Sequence, residues 1–319
     1  MRKIDCVVVV GSGMMGSGIG AMAALAGKKT ILVDTDAAKT ALAVTRANSC
    51  IDLRYENGLN SKEEADKART LINTSTNMPE AVKEADLVIE AIFEDVGIKQ
   101  KLFAQLDELL DVSVPICSNT SGLRITDISA LCKHPERTFT THFWLPAHLV
   151  PLVEVVLGDK SDEAMGKEVV KELKTWKKAP VLVRKDLPGQ LANRVFQAII
   201  RESISIVASG LASAEDVDTA ISCGMAMRFP EWGPLMHLDA IGLDLGLSVQ
   251  DSVLPGISAE KKANDYIREL VKSGNIGAKT GKGFYDWTEH DIKKAMEKRD
   301  QFIIEAVKIK DKIDAGCEE

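Results

Sequence analysis

Two residues near the middle of the chain have the types and spacing for proton transfer at an alcohol. His142 closes the run Thr138-Phe139-Thr140-Thr141, and Glu154 follows twelve residues later inside Leu152-Val153-Glu154-Val155. Both runs read as strands, and adjacent strand ends can bring the two side chains together. A carboxylate bonded to one imidazole nitrogen fixes the tautomer and stabilises the imidazolium, and the other nitrogen is then free to take a proton. Taken alone, the pair also admits a plainer reading, with His142 structural at a strand end and Glu154 solvated.

The partner chemistry sits at the start of the chain. Cys6-Val7-Val8-Val9-Val10 is followed at once by Gly11-Ser12-Gly13-Met14-Met15-Gly16, then by a small-residue helix from Gly18 to Leu25. A second apolar run, Thr30-Ile31-Leu32-Val33, ends at Asp34, eighteen residues after Gly16. This is the strand–glycine turn–helix–strand–acid order of a dinucleotide site. Gly11 permits the tight turn, Gly13 lets backbone approach the pyrophosphate, Gly16 lets helix and strand pack closely, and the helix N-terminus faces the phosphates. Asp34 suits two free ribose hydroxyls and would repel a 2′-phosphate. Thr35, Asp36, Ala37 and Ala38 follow it with no arginine, so NAD rather than NADP is expected. An alcohol that loses hydride to NAD needs a base for its proton, which is the role open to His142.

Elements of an α/β fold must position these groups. The first half alternates strands and helices: strands at Cys6–Val10, Thr30–Val33, Ile72–Thr76, Asp86–Ala91, Val114–Ser118, Thr138–His142, Leu152–Val156 and Pro180–Val183, with a helical arm from Ala37 to Tyr55 and onward from Lys62. Short helices are expected at Met78–Glu84 and Ile125–Leu131, and a longer one at Ile98–Leu110. The sheet is open and mostly parallel, so its ligand belongs beyond the carboxyl ends of the strands. Asp186-Leu187-Pro188-Gly189 reads as a turn-rich linker, and helices follow at Leu191–Ser209, Ala214–Ser222, Pro234–Leu254, Ser258–Ser273 and Glu289–Lys312. The expected domains are therefore 1–185, a Rossmann-like NAD-binding unit, and 186–319, an all-α unit for substrate and dimerisation.

Composition sets limits. A chain of 319 residues has room for two domains and a large core. A net charge of −7 gives no electrostatic footprint for nucleic acid. Apolar runs fall far short of a bilayer span, and Met1-Arg2-Lys3-Ile4 leads straight into the first strand with no room for a secretory leader. The six cysteines (Cys6, Cys50, Cys117, Cys132, Cys223 and Cys317) are scattered, with no C-x-x-C, so reduced thiols and a cytoplasmic setting are expected. No metal site is expected.

Across nearly its whole length the chain resembles the 3-hydroxyacyl-CoA dehydrogenase family. The resemblance is carried by Gly11 to Gly16, by Ala85-Asp86-Leu87-Val88-Ile89-Glu90-Ala91-Ile92-Phe93-Glu94, by Lys99 with Leu102-Phe103, and by Ser118-Asn119-Thr120-Ser121. His142-Phe143 with Pro146, Leu152-Val153-Glu154-Val155, Pro188-Gly189 with Asn193-Arg194, Gly233-Pro234, Gly242-Leu243-Asp244 and Lys279 to Asp286 complete it. The resemblance implies NAD-dependent oxidation of an (S)-3-hydroxyacyl-CoA to the 3-oxoacyl-CoA. His142 is then the general base, Glu154 its orienting group, and Ser121 and Asn193 hold the reacting oxygen. Gly11, Gly13, Met15, Gly16 and Asp34 bind the cofactor, with Glu94, Lys99 and Asn119 on its nicotinamide side. Spacing alone would instead make Ser121 a turn residue, Asn193 a capping or packing residue, and Glu94 with Lys99 an exposed helix pair. A homodimer joined through the second domain is also implied.

Three departures bear on the substrate. Leu145 stands where the family usually has asparagine. Arg228-Phe229-Pro230-Glu231-Trp232 precedes Gly233-Pro234 with larger residues than usual. The arm from Ala37 to Asn60 carries only Lys39, Arg46 and Arg54 against Asp52 and Glu56, a thin basic surface for the phosphates of CoA. A free small hydroxy compound (carnitine-like, a sugar acid such as gulonate, or a hydroxymethyl-pyridine carboxylate) is therefore the alternative substrate. A non-catalytic, crystallin-like relative is the remote one, and the His142–Glu154 pair and Ser121 argue against it.

Overall fold

The computed structural model describes residues 2–316, so Cys317 lies outside the described residues. The chain divides into two compact units. The first runs to Asn193 and takes in Ile303–Lys308; the second covers Arg194–Phe302 and resumes at Ile309.

The first unit is built on one sheet of eight strands: β1 (Cys6–Val10), β2 (Lys29–Val33), β3 (Ile72–Ser75), β4 (Leu87–Glu90), β5 (Ile116–Ser118), β6 (Thr138–Phe143), β7 (Leu152–Leu157) and β8 (Ala179–Val183). Their order across the sheet is β3-β2-β1-β4-β5-β6-β7-β8. Every pairing is parallel except β6 with β7. β1, β4, β5 and β6 are buried at every position, which is why they read as continuous apolar or mixed runs rather than alternating ones. Side chains nevertheless part by face. Val7, Val9, Ile89 and Cys117 join one core with the helix Met14–Leu25; Val8, Val10, Val88 and Ile116 join the other with Phe103 and Leu106.

The expected arm is present as two helices, Ala37–Glu56 and Lys62–Leu71, the second opened by a reciprocal Ser61–Glu64 capping box. The short helices and the helix after β4, Val96–Leu109, fall within a few residues of their expected places. One element absent from the sequence reading is the helix Glu163–Thr175. It supplies the crossover that parallel β7 and β8 require, and it buries Gly166, Val169 and Leu173.

The first unit also extends past residue 185. Asp186, read as linker, and Gln190, just after it, are buried: the Asp186 carboxylate accepts from Thr126 N at 2.8 Å, and Gln190 Nε2 donates to Thr120 O at 3.0 Å.

The second unit is helical. It contains most of Ala192–Ala208, then Ala214–Ala220 continued by a π turn over Ile221–Met225, and Asp265–Lys272. The stretch expected as one helix from Pro234 to Leu254 is two, Pro234–Ile241 and Leu243–Val253. Gly242 at φ +99° lies outside the helical region and breaks it. The helix expected from Ser258 begins only at Asp265, where the Asn264 side chain caps it. The last helix spans Ile292–Gly316. No helix among the described residues is long and apolar enough to cross a membrane.

Candidate active site and dinucleotide cleft

A cleft of about 1280 Å³ opens at the carboxyl ends of β1, β2 and β4. Gly11, Gly13, Met15 and Asp34 line it, together with Ser12, Met14, Ile92 and Phe93; Gly16 packs behind it. The turn has the shape a pyrophosphate needs. Gly11 sits at φ +106°, and a Cβ there would come 2.5 Å from Ala91 O. A Cβ on Gly16 would come 1.8 Å from Gly11 O, so the helix could not approach the strand. A Cβ on Gly13 would meet no protein atom within 4 Å, leaving open space beside the backbone. No side chain caps the helix at Gly13, so its first N–H groups are available to an anion.

Asp34 closes the cleft at the end of β2. Burial pushes its carboxyl up, but bonds from Ser12 N (3.2 Å), Ser12 Oγ (2.7 Å) and Thr35 N (2.9 Å) outweigh this and hold it below the usual range. It is therefore ionised and fixed where ribose hydroxyls would lie.

On the far side of the sheet, the antiparallel β6–β7 pairing sets His142 directly opposite Glu154. His142 Nδ1 and Glu154 Oε2 are 2.8 Å apart, and both side chains are buried. The same oxygen accepts from Trp144 Nε1 at 3.1 Å, while Oε1 accepts from Leu191 N at 2.9 Å and Ala192 N at 2.8 Å. Burial alone would raise the Glu154 carboxyl; the bonds from His142, Ala192 N, Trp144 and Leu191 N more than offset it and bring it down to about 2. The carboxylate stays charged and is spent entirely on orienting its neighbours.

The remaining expected site residues are placed less directly. Asn119 Oδ1 accepts from Phe143 N at 2.9 Å, so its carbonyl ties β5 to the His142 strand. Asn193, expected in the second domain, counts with the first unit and reaches Ser121 O at 3.5 Å. Glu94 accepts from Thr120 Oγ1 and, at 3.3 Å, from Gly122 N, which braces the turn that carries Ser121. Lys99 is not half of an exposed helix pair. It is 1% exposed and its Nζ lies 2.7 and 2.9 Å from the two oxygens of Glu90 and 3.1 Å from Glu94 Oε2. Lys99 thus ties Val96–Leu109 to β4, and Asn119 ties the end of β5 to β6.

Sequence reasoning missed several members of this network. Glu90 is buried at the end of β4 and also accepts from Ser118 Oγ at 2.6 Å and Ile92 N at 2.7 Å. An acid inside a strand with no exposed face was the available signal. The loop after β6 is held by two further buried cations. Arg54 Nη1 donates to His148 O at 2.6 Å and its Nε to Asn60 Oδ1 at 2.7 Å; Lys178 donates to Ala147 O and, at 2.8 Å, to Val150 O. Burial and the nearby Arg54 charge push the Lys178 ammonium down to about 7. Of the three arm cations counted toward CoA, Arg54 is thus committed to this loop, and Lys39 and Arg46 line the dinucleotide cleft. Arg228 and Trp232 belong to the second unit, where the Trp232 ring lies 5.9 Å from that of His237.

Residues 6–187 match the 3-hydroxyacyl-CoA dehydrogenase NAD binding domain, and residues 189–287 match the C-terminal domain of the same family. A probable 3-hydroxybutyryl-CoA dehydrogenase of Bacillus subtilis is 34% identical over 288 residues, covering 90% of this chain and 99% of its own. Among solved structures, that of 5-formyl-3-hydroxy-2-methylpyridine 4-carboxylic acid 5-dehydrogenase, described as an NAD+ dependent dismutase, superposes with a TM-score of 0.89 at 28% identity, covering 97% of this chain and 99% of that one. The (S)-3-hydroxybutyryl-CoA dehydrogenase of Ralstonia eutropha gives 0.74 at 32% identity over 89% of this chain and 99% of its own. The chain belongs to the NAD-dependent 3-hydroxyacyl-CoA dehydrogenase family.

Proposed function

We propose that this chain oxidises the hydroxyl of an (S)-3-hydroxyacyl-CoA to the 3-oxo group, with His142 as general base. The observation that carries this reading is the 2.8 Å bond from His142 Nδ1 to a Glu154 carboxylate that every neighbour keeps ionised. That bond fixes the proton on Nδ1 and leaves Nε2 as the lone-pair nitrogen, which takes the hydroxyl proton. Gly11, Gly13, Met15 and Asp34 would hold NAD, which would supply the hydride acceptor for the carbon that bears the hydroxyl. Ser121, in the turn that Glu94 braces, and Asn193, on the helix Ala192–Ala208, hold the substrate oxygen, and Glu154 steadies the imidazolium until the proton leaves. In the reverse direction His142 returns the proton as an acid.

A second reading for the substrate has its own support. Of the arm cations, Arg54 is engaged by the loop after β6 and Lys39 and Arg46 line the dinucleotide cleft, and the fold superposes more fully on a dehydrogenase named for a pyridine carboxylate than on one named for a CoA thioester. On that reading the same base acts on a free small hydroxy acid. NADH formation with short and medium (S)-3-hydroxyacyl-CoAs, set beside carnitine, gulonate, 3-hydroxybutyrate and a hydroxymethyl-pyridine carboxylate, separates the two. Turnover confined to thioesters supports the first; a free acid that outruns them replaces it with the second.

The second unit pairs with that of another copy. Leu211, Leu235, Met236 and Leu243 are each more than half exposed there, more apolar surface than a lone chain ordinarily leaves in water. The described cysteines are all free thiols, which suits a reducing compartment such as the cytoplasm.

A further inference from the structure

We propose that Trp144 is a positioning residue for the reaction: its indole N–H holds Glu154 Oε2 in place and withdraws part of that oxygen's charge from His142. The inference rests on the His142–Glu154 reading above and assigns a role to a residue outside it.

The two oxygens of Glu154 are used differently. Oε1 accepts two peptide N–H groups, from Leu191 and Ala192, at the start of the helix that carries Asn193. Oε2 is shared between His142 Nδ1 at 2.8 Å and Trp144 Nε1 at 3.1 Å. Each oxygen thus has two donors, and the carboxylate cannot rotate without breaking at least one bond. The indole is a donor that never titrates and never accepts. Its bond to Oε2 therefore persists whether or not the imidazole is charged, and it competes with the imidazolium for the same electron density. The Trp144 ring also lies beside the imidazole, with centroids 5.8 Å apart at 47°. Phenylalanine would keep an aromatic ring at this position and remove the N–H.

What else faces the carboxylate is simple. β6 presents His142, β8 presents Val181 opposite Glu154, and the turn before Ala192 presents peptide N–H groups. His142 is the one titratable side chain among these partners of the carboxylate. With the indole bond gone, Oε2 carries more charge toward His142 and stabilises the imidazolium more strongly. The base form of His142 then persists over a narrower range of pH. Trp144 in the intact protein does the reverse, drawing part of the Oε2 charge away from His142.

The test is the titration of His142 followed by NMR on histidine-labelled full-length protein without substrate, with His142→Gln to assign the resonance. Trp144→Phe is expected to move the His142 midpoint, and with it the acid limb of kcat/KM for oxidation, upward by roughly half a pH unit, the worth of one net hydrogen bond. Glu154→Gln is expected to move the midpoint downward. A downward shift in Glu154→Gln with no shift in Trp144→Phe overturns the role of Trp144 while leaving the dyad intact. No shift in either overturns both. The unmodified protein supplies a check that needs no folded variant beyond assignment: the Trp144 indole N–H resonance should shift with the same midpoint as His142. An indole resonance that stays flat through that titration overturns the proposal.

Discussion

β1 of the first unit keeps Val7, Val8 and Val9 wholly out of solvent, whereas the helix Leu243–Val253 of the second leaves Leu243 63% exposed and Leu247 61% exposed. The contrast runs through both units. Among the described residues, Val217 is the one apolar side chain of the second unit that is buried, while the first carries two continuous apolar cores, one on each face of its sheet. Charge follows the same division. The first unit buries Lys99 with Glu90, Arg137 with Asp107, and His142 with Glu154, each within 2.8 Å. A closed core can hold such groups because it fixes their partners, and fixed partners are what acid–base chemistry needs. The second unit offers exposed apolar surface instead, the surface on which the proposed pairing of two copies rests.

The contrast is broken most directly by removing the base. His142→Gln is expected to lower turnover by about 10²–10⁴-fold while NADH binding, followed by fluorescence titration, and the unfolding midpoint stay close to the parent. Activity that survives would mean the chemistry does not lie in the buried cluster of the first unit. Next in size is Lys99→Met. It leaves Glu90 buried without its cation and is expected to destabilise the chain by about 3–5 kcal/mol in urea unfolding. Pairing it with Glu90→Gln should recover part of that loss; a single variant as stable as the parent would show that the first unit does not depend on its buried ion pairs.

Much of this arrangement was legible in the residues, and the exceptions have a common cause. The turn from Gly11 to Gly16, the acid at Asp34 and the strand cores could be read because each is local: a glycine pattern, a spacing or an unbroken apolar run. The pairing of His142 with Glu154 was legible as adjacent strand ends, though not as direct register partners across an antiparallel pair. Lys99, Arg54 and Lys178 were not legible as buried residues. A lone cation in sequence reads as solvated, and the groups that bury each one come from other elements: Glu90 from β4, His148 O and Val150 O from the loop after β6. Asp186 reads as linker, and Gln190 gives no sign of burial, for the same reason: their partners lie sixty and seventy residues away. The helix Glu163–Thr175 is different. Its buried Val169 and Leu173 are at helical spacing, so the signal was present and was passed over.

The polar cluster of the first unit also predicts how its stability follows pH. The folded Glu154 carboxyl lies at about 2, against an ordinary value of 4.5. A carboxyl depressed on folding contributes stability that is fully present above the ordinary value and is lost as pH falls from about 4.5 toward 2. At most this amounts to about 3 kcal/mol. Unfolding of the parent and of Glu154→Gln should therefore differ most at neutral pH, and the gap should narrow through that acid window. A gap that is constant from pH 7 to pH 3 would show that the Glu154 charge adds nothing to the fold.

The smallest expected effect tests the other side of the comparison. If the exposed leucines of the second unit meet a second copy, the parent should sediment at about twice its 34.6 kDa at micromolar concentration. Leu247→Asp should weaken that association by roughly 10–100-fold, because the contact as a whole loses leucine burial worth about 1.5–3 kcal/mol across the two copies and gains charge. Leu131→Asp is the matched control. Leu131 is 59% exposed, nearly as much as Leu247, but it belongs to the unit that has its own cores. Equal exposure then separates from equal function: the substitution at Leu131 should leave the sedimenting mass unchanged. A parent that sediments as a single chain, or two variants that dissociate alike, would mean that the exposed leucines of the second unit do not mark where the copies meet.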